Sequence, residues 1–349
     1  MQKKKALIAM SGGVDSSVAA FLSLQEGYEC VGGTMELLCD PSGDAGDARA
    51  VAKRLNMDFH VFPMQERFRQ QVMDKFVRCY EEGLTPNPCV DCNRNLKFGA
   101  LLEQALSLGC EYVVTGHYCR IVQDPETGRY GLYKAVDDSK DQSYFLYALT
   151  QQQLRHIHFP LGNLTKEEAR QIAHEQGFIN ARKKDSQDIC FVPNGDYMEF
   201  IRTYTGKKYP GGNFLDQSGK VVGRHNGAIG YTRGQRKGLG LAMGQPVYVC
   251  SKDMEKNTVT VGSNEVLFST TLLAEDWTFF PFDALTAPLR CKAKARSRMA
   301  EQPATAYPMA DGRVKVVFDA PQRALTTGQA IVLYDGDAVL GGGTITEVE

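Results

Sequence analysis

Long uninterrupted hydrophobic runs are absent from the 349 residues, and this absence excludes a membrane-spanning helix. Histidine is scarce, with six residues that lack the spacing of a metal site. The formal net charge is only −1, so overall charge does not indicate a nucleic-acid binder. The basic residues 1–5 lead directly into an apolar strand without the layout of a signal peptide, and we therefore expect a cytoplasmic protein with no membrane partner.

Cysteine is not lacking, but its ten residues are spread over the whole chain. This distribution excludes a small secreted scaffold held together by dense disulfides. Most of these cysteines lie in apolar runs, as Cys30 and Cys110 do, and are predicted to be small buried side chains. The length of the chain predicts two or three domains.

Strand and helix patterns alternate over the first third of the chain. Apolar segments predict strands at 6–10, 28–35, 58–62 and 112–115, and helical spacing predicts helices at 14–25, 44–55, 64–82 and 93–108. This order is typical of an α/β fold with a parallel sheet between two layers of helices. Ligands of such sheets bind beyond the carboxyl ends of the strands. Gly12, Met35 and Gly116 follow or close three of these strands, so we expect them to converge on one nucleotide.

The rest of the chain has a different composition. A hairpin is predicted at 119–134, and helices are predicted at 165–176 and 196–204. Beyond Gly206 glycine, proline and β-branched residues increase, and short alternating segments from 272 onwards predict a small β-barrel. We therefore predict an α/β catalytic domain at 1–206, a small central domain at 207–267 and a C-terminal β-barrel domain at 268–349.

The most informative segment is the glycine turn Ser11-Gly12-Gly13-Val14-Asp15-Ser16-Ser17 between the first strand and the first helix. Backbone amides at a helix start and the helix dipole favour an anion, and glycines let the backbone approach a phosphate closely. The segment lacks the lysine of a Walker A loop. It resembles the loop of the N-type ATP pyrophosphatases, enzymes that transfer AMP from ATP to an oxygen. The alternative is an ordinary turn between a strand and a helix.

Two cysteines lie in polar rather than apolar surroundings. Cys92 closes the segment Thr85-Pro86-Asn87-Pro88-Cys89-Val90-Asp91-Cys92 and falls near the start of a predicted helix, where the pKa of a thiol is expected to be lowered. Cys190 belongs to Ser186-Gln187-Asp188-Ile189-Cys190-Phe191, in a loop that follows three basic residues at 182–184. Both are candidate sulfur nucleophiles.

Five cations alternate with other residues in one segment of the C-terminal third: Arg290, Lys292, Lys294, Arg296 and Arg298. On a strand all five would project from one face. Such a ridge is suited to contact several phosphates of a nucleic acid. The alternative is a solvated strand face without a partner.

Several motifs together resemble the tRNA-specific 2-thiouridylase family over essentially the whole chain. They are, in order, SGGVDSS at 11–17, TPNPCVDCN at 85–93, LKF at 96–98, VTGHY at 114–118, KDQSYF at 140–145, SQDICF at 186–191, GQRKGLG at 234–240 and LGGG at 340–343. The resemblance implies ATP-dependent replacement of the 2-oxygen of a tRNA wobble uridine by sulfur. It also implies an ATP pyrophosphatase domain, a central tRNA-binding domain and a terminal barrel.

The same resemblance implies roles for individual residues. ATP binding falls on Ala9, Met10, Ser11, Gly12, Gly13, Val14, Asp15, Ser16, Met35 and Gly116. Cys190 would carry sulfur as a persulfide, and Cys92 would be its partner thiol. Asp15 is a candidate ligand of the Mg²⁺ that accompanies ATP, or a residue that caps the helix start.

Contacts with tRNA are implied for a further set: Asn87, Pro88, Cys89, His117, Lys140, Asp141, Gln142, Arg296, Ser297 and Gln329. The family also implies a sulfur-donor protein, either a cysteine desulfurase or a relay protein, as a second partner. The tRNAs for Lys, Glu and Gln are the expected substrates.

Three alternatives remain open at this point. Cys89 and Cys92 form a CxxC pair that, with Cys190, offers three thiolates for a [4Fe–4S] cluster with one open iron. A PP-loop synthetase acting on a small metabolite would explain SGGVDSS but neither cysteine motif. A tRNA-binding scaffold without catalysis would keep the fold and need neither Asp15 nor the cysteines.

Overall fold

The computed structural model describes residues 3–38, 45–181, 183 and 188–349. Seven strands belong to the N-terminal half: β1 Lys5–Ala9, β2 Glu29–Glu36, β3 Phe59–Pro63, β4 Tyr112–Val114, β5 Cys119–Gln123, β6 Tyr130–Lys134 and β7 Ile157–His158. Five of them form a parallel sheet in the order β3-β2-β1-β4-β7. The predicted doubly covered α/β sheet is confirmed, whereas β7 was not predicted because two residues carry no pattern.

Helices cover both faces of this sheet, as its two cores show. Successive residues of β1 alternate between them, since Leu7 packs in one core while Ala6 and Ile8 pack in the other, all three without exposed surface. The α-helices are α1 Val14–Gln25, Ala45–Arg54, Gln65–Phe68, Asp74–Glu81, Pro88–Asp91, Leu101–Ser107, Gln151–Leu154, Lys166–Glu175 and Tyr197–Thr205. Arg69–Met73 and Cys92–Ala100 are π-helical, and short 3₁₀ segments occupy Ser143–Phe145, Pro160–Asn163, Pro193–Gly195, Ala228–Gly230 and Asn264–Leu267.

A small central module follows the helix Tyr197–Thr205. Its strands are β8 Gly212–Leu215, β9 Val221–His225, β10 Tyr248–Asp253 and β11 Thr258–Gly262. They form one sheet in the order β10-β11-β8-β9. Phe214, Val249, Val259 and Val261 from these strands form the centre of a separate core, so the module has an apolar interior of its own.

The C-terminal strands close into a six-stranded barrel. They are β12 Phe268–Phe279, β13 Leu289–Lys294, β14 Gln302–Pro308, β15 Val314–Arg323, β16 Ala330–Asp335 and β17 Ala338–Val348. Their order is β12-β15-β14-β13-β16-β17, and pairing between β12 and β17 closes the barrel. The predicted barrel is confirmed; closure removes the sheet edges that would otherwise invite pairing with other chains.

The hairpin β5–β6 connects the first module to the barrel. It is predicted at 119–134 and found there, but it extends the barrel sheet through pairing of Ala338 with Tyr133 and of Val339 with Leu132. Val332, Tyr334 and Val339 of the barrel also belong to the first module's larger core. The two modules are therefore packed through a shared apolar interior. In the described part of the chain no helix is long and apolar enough to cross a membrane.

The aromatic segment at 144–147 belongs to this shared interior, as the sequence predicts. Tyr144 is 1 % exposed and Tyr147 is 3 % exposed. The Tyr144 hydroxyl donates a hydrogen bond of 2.8 Å to the carbonyl oxygen of Ala330 on β16. A buried hydrogen bond of this kind stabilises a fold by about 1 kcal/mol.

Tyr144→Phe tests this bond. We expect it to lower the free energy of unfolding by about 1 kcal/mol, because the buried Ala330 carbonyl loses one donor. Chemical denaturation followed by fluorescence measures the change. Tyr307→Phe is the matched control, since Tyr307 is 40 % exposed; equal effects of the two variants would contradict the assignment.

Candidate functional site

In the part of the chain that the structure describes, no side chain caps the helix start that follows the turn between β1 and α1. Gly12 has φ +73°, a backbone conformation that favours glycine. Gly13 is the N-cap residue of α1. The Ser16 hydroxyl donates to the Gly13 carbonyl at 3.0 Å and accepts from the amide of exposed Ser11 at 3.2 Å. The turn is therefore held by its own serines while the first amides of α1 remain available for an anion.

Gly116, after β4, packs directly on this turn. A Cβ at Gly116 would lie 2.6 Å from the carbonyl carbon of Asp15 and 2.7 Å from the amide nitrogen of Ser16. The amide of Met10 donates to Gly33 of β2 at 2.7 Å, and Met35 follows two residues later on that strand. Ala9, Met10, the turn, Met35 and Gly116 therefore meet at the carboxyl edge of the sheet, as predicted.

Asp15 is paired inside the protein. Lys166 Nζ lies 2.8 Å from both of its carboxylate oxygens, and the Tyr118 hydroxyl donates to Oδ1 at 2.9 Å. Lys166 is 8 % exposed and opens the helix Lys166–Glu175, which begins with a capping box formed by Thr165 and Glu168. The sequence analysis gave Lys166 no role. The feature that could have identified it is a lysine at the first position of a predicted helix, where a nearby negative group is expected to accompany it.

The first pair of thiols is carried by a continuous helical segment. Pro88 starts the helix Pro88–Asp91 after Asn87, which does not cap it with its side chain, and the π-helical Cys92–Ala100 follows at once. Asp91, between the cysteines, is 8 % exposed and pairs with Lys75 Nζ at 2.6 Å. Cys89 is exposed and Cys92 is buried. The Asp91–Lys75 ion pair ties this CxxC turn to the helix Asp74–Glu81.

Cys190 is positioned by the residue that follows it. The Phe191 ring contacts Phe68, Phe76 and Phe200 with centroid distances of 5.5, 5.2 and 5.0 Å, and it is 5 % exposed. This aromatic cluster holds the exposed Cys190 against the helices that precede the CxxC turn. The motif residues Ser186 and Gln187, and the basic residues Arg182 and Lys184, lie outside the described residues.

The three thiols influence one another electrostatically, although 98 residues (190 − 92) separate Cys92 from Cys190. Although Cys190 keeps exposed surface, desolvation by the protein packed around its thiol raises its pKa to about 11, and the neighbouring Cys92 and Cys89 raise it further. Burial likewise raises the pKa of Cys92 and of Cys89. The predicted lowering of the Cys92 pKa by a helix N-terminus is therefore wrong: the thiol lies beyond the first helical turn and is enclosed.

Lys97 is the cation that opposes these shifts. It lowers the pKa of Cys89, Cys92 and Cys190 alike. It follows Cys92 by five residues, which the wider π-helical turn brings to the same side of the helix. The sequence analysis quoted Lys97 within a motif and gave it no role, because an α-helical spacing would have turned it away.

His117 lies between the glycine turn and the thiols. It is buried, its Nδ1 is 2.6 Å from the Thr115 hydroxyl, and its ring contacts Phe98 and Phe159. Burial, followed by Lys97, holds the pKa of His117 well below its ordinary value. The imidazole is therefore neutral at physiological pH, and His117 links the two halves of the site.

The donors in this region do not form a metal site. Within residues 3–38, 45–181, 183 and 188–349, no three side chains of His, Cys, Asp or Glu are grouped as ligands. All nine cysteines in those ranges are free thiols.

Other predicted contact residues hold loops together. Asp141 accepts from the amides of Ala135 and Ser143, and Gln142 Oε1 accepts from the amide of Tyr118 at 2.9 Å. Lys140 precedes them in a partly buried turn. The segment thereby fixes the strand end that carries Gly116 and His117.

The barrel reaches the site through β16 and its preceding turn. Gln329 Nε2 donates to the carbonyls of Thr85 and Pro86 at 2.9 and 3.3 Å. Arg296 donates to the Ala324 carbonyl and, at 2.7 Å, to the Thr326 hydroxyl, and Ser297 follows it in a partly buried turn. The loop that leads to Cys89 and Cys92 is therefore anchored on the barrel.

The prediction that five cations project from one strand face is wrong for the last two, Arg296 and Arg298. Strand β13 ends at Lys294, so only Arg290, Lys292 and Lys294 share an outward face, while Arg296 and Arg298 lie in the following turn. Arg290 forms hydrogen bonds of 2.6 and 2.5 Å with the Asp319 carboxylate. Lys292 and Arg298 remain exposed and are the cations best placed for an external phosphate.

Comparison with known proteins places three family models along the chain. The model described as a tRNA methyl transferase HUP domain matches residues 4–194. A tRNA methyl transferase PRC-barrel domain matches residues 198–263, and an aminomethyltransferase beta-barrel domain matches residues 269–345.

Curated relatives match over nearly their whole length. The tRNA-specific 2-thiouridylase MnmA of Acetivibrio thermocellus is 47% identical, covering 99% of this chain and 100% of the relative. The protein of the same name from Carboxydothermus hydrogenoformans is 47% identical, covering 98% of each. Among solved structures, a 4-thiouridine synthetase–RNA complex with bound ATP matches with 18% identity and a TM-score of 0.36, covering 58% of this chain and 50% of the other.

The raised pKa of Cys190 predicts slow alkylation near neutral pH. With a pKa of about 11, only about a thousandth of the thiol is ionised at pH 8. We expect the rate with iodoacetamide to rise about tenfold per pH unit from 8 to 10, measured by mass spectrometry of the Cys190 peptide. Lys97→Met should lower the rate at each pH, because the cation that favours the thiolate is gone. A rate that levels off below pH 9 would contradict this electrostatic description.

Proposed function

The chain belongs to the tRNA-specific 2-thiouridylase family, and we propose that it forms 2-thiouridine in tRNA at the cost of ATP, as a tRNA-uridine 2-sulfurtransferase. One observation carries the proposal: a cradle for phosphate and a group of three thiols lie at the same sheet edge. Gly116 packs on the cradle, and the adjacent His117 responds to the same Lys97 as the thiols.

The first half-reaction is adenylation of the uridine 2-oxygen. The amides of the Ser11–Ser17 turn would bind the phosphates of ATP, and Gly116 lets the strand end approach the same place. The uridine oxygen attacks the α-phosphorus and pyrophosphate leaves. Hydroxide is a poor leaving group, whereas AMP is a good one, so this step prepares the carbon for sulfur. The target base must leave its stack to reach the site.

The second half-reaction delivers sulfur from a Cys190 persulfide. In one route the terminal sulfur attacks the activated carbon and AMP leaves. Cys92 then attacks the Cys190 sulfur, which frees 2-thiouridine and leaves a Cys92–Cys190 disulfide. In the other route Cys92 attacks first and releases hydrosulfide, which displaces AMP. In both, an external thiol reductant restores the two cysteines.

Protonated thiols fit a resting enzyme that waits for sulfur. With pKa values raised by burial, neither cysteine is a strong nucleophile until its surroundings change. Lys97 favours the thiolate form of both, and a persulfide is more acidic than a thiol. We propose that Lys97 stabilises the negative charge on the attacking and leaving sulfur atoms.

The remaining residues of the family pattern are proposed to serve tRNA. Asn87, Pro88 and Cys89 line the thiol turn, while Arg296, Ser297 and Gln329 mark where the barrel approaches it. The proposed tRNAs are those for Lys, Glu and Gln, and the sulfur donor is a cysteine desulfurase or a relay protein that docks near Cys190, in the cytoplasm.

Two cofactor proposals differ in their support. Mg²⁺ is proposed to arrive with ATP; the nearest carboxylate, Asp15, is engaged by Lys166. The [4Fe–4S] alternative would use the same three thiols, Cys89, Cys92 and Cys190. We propose the persulfide route, because it needs only Cys190, Cys92 and an external reductant.

Cys190→Ser tests the sulfur-transfer assignment. We expect it to abolish thiolation of an unmodified glutamate tRNA supplied with ATP and a sulfur donor, because no persulfide forms, while tRNA binding is kept. Retardation in a mercury-containing gel measures the product. Cys79→Ser, on the neighbouring helix Asp74–Glu81, is the matched control and should retain activity. Thiolation by the Cys190 variant would sink the assignment, and loss of tRNA binding would give the residue a different role.

A second variant tests the exposed cations of the barrel. Replacement of Lys292 and Arg298 by alanine should weaken tRNA binding and reduce the slope of log K against log salt by about 1 per cation. The charge-neutral double variant Arg290→Ala/Asp319→Ala removes an ion pair on the same strand and should leave the slope unchanged. An unaltered slope in the first variant would remove this surface from the tRNA interface.

A further inference from the structure

A cavity of about 270 Å³ lies where the three modules meet, behind the thiol turn rather than at the phosphate cradle. Residues 82–85, at the end of the helix Asp74–Glu81, form one wall. Arg233 and residues 249–252 of the central module form the second, and residues 325–327 of the barrel form the third. No step proposed above uses this cavity.

Two cations of the central module have buried nitrogens without partners there. Lys252 Nζ and Arg233 Nε are both inaccessible to solvent and form no hydrogen bond within the described chain. A buried ammonium normally has an ion pair or several hydrogen bonds, because removing its charge from water is unfavourable. The absence of both at Lys252 calls for a partner that the described residues do not provide.

The surroundings contain no compensating anion. Among the described lining residues the one carboxylate is that of Glu82, which is exposed and forms no ion pair with either cation. Burial alone lowers the pKa of Lys252 to about 8. Burial also lowers the pKa of Arg233, and Arg233 and Arg323 both act to lower the pKa of Arg296. Among the described residues, several cations therefore lie at this junction, and its one lining carboxylate, Glu82, pairs with neither Lys252 nor Arg233.

We propose that the cavity is a binding site for a phosphate-class oxyanion, with Lys252 and Arg233 as its charged ligands once the enclosed Lys252 ammonium turns into the cavity. Such an anion would supply the missing acceptors and cancel the repulsion. The volume accommodates a phosphate group with several waters, since a water occupies about 30 Å³ in the liquid. The phosphate is either free in solution or part of the RNA backbone.

Occupancy would act on the thiol turn through the cavity wall. Thr85 donates its amide to the Thr327 carbonyl at 3.0 Å and accepts from Gln329 at 2.9 Å. Cys89 follows four residues later. An anion between Lys252 and this wall would hold the central module, the barrel and the cysteine loop in one arrangement.

Thermal unfolding with and without inorganic phosphate tests the site in the full chain. We expect phosphate to raise the melting temperature of the wild type by a few degrees over chloride at equal ionic strength. Lys252→Met should lose that gain, and without phosphate it should melt no lower than the wild type, because an uncompensated buried charge has been removed. Lys220→Met, an exposed lysine of the same module, should behave as the wild type. Arg233→Met gives a second reading if Lys252→Met does not fold.

Binding of tRNA over a range of salt concentrations identifies the source of the phosphate. A salt slope reduced by about 1 in Lys252→Met assigns the site to the RNA backbone, whereas an unchanged slope with lost phosphate stabilisation assigns it to a free anion. The proposal is overturned if Lys252→Met alters neither quantity. Neither measurement requires turnover, so its failure is distinct from a failure of the proposed thiolation.

Discussion

The contact of Gly116 with the first turn of α1 is the constraint on which the site depends. No side chain fits there, because a Cβ would lie 2.6 Å from the backbone of Asp15. The segment after β4 therefore packs against the glycine turn. His117, the residue after Gly116, is close enough to Lys97 for that cation to lower its pKa. Two consecutive residues, Gly116 and His117, therefore connect the proposed nucleotide site with the proposed sulfur-transfer site.

The raised pKa values of the three thiols follow from desolvation by the protein around them. Three sulfurs and one lysine are brought together by a π-helical segment and by the aromatic anchor of Phe191. Because burial disfavours the thiolate, these cysteines are protonated at rest, and a single cation counteracts the effect.

The barrel supports the catalytic module, in addition to its proposed role as a surface for RNA. Tyr144 donates to Ala330, Gln329 donates to Thr85, and the β5–β6 hairpin extends the barrel sheet. The bond from Gln329 supports the loop that leads to the thiol turn. The Tyr144 bond and the hairpin support the segment that follows His117. Removing the barrel would therefore be expected to disturb the site itself, and not only the affinity for RNA.

The sequence by itself determined the parallel sheet, the barrel and the glycine turn, since each has a local signature of period, glycine spacing or motif, and it predicted Cys92 and Cys190 as the candidate nucleophiles. Its errors have non-local causes. The Cys92 pKa depends on what covers the helix, the cation ridge ends where β13 bends at Lys294, and Lys97 is in place because the helix widens. Only the tertiary structure decided that Asp15 pairs with Lys166, 151 residues away, and that Lys252 and Arg233 meet in one cavity. Charge pairing and burial depend on which segments touch, and a one-dimensional pattern does not contain that information.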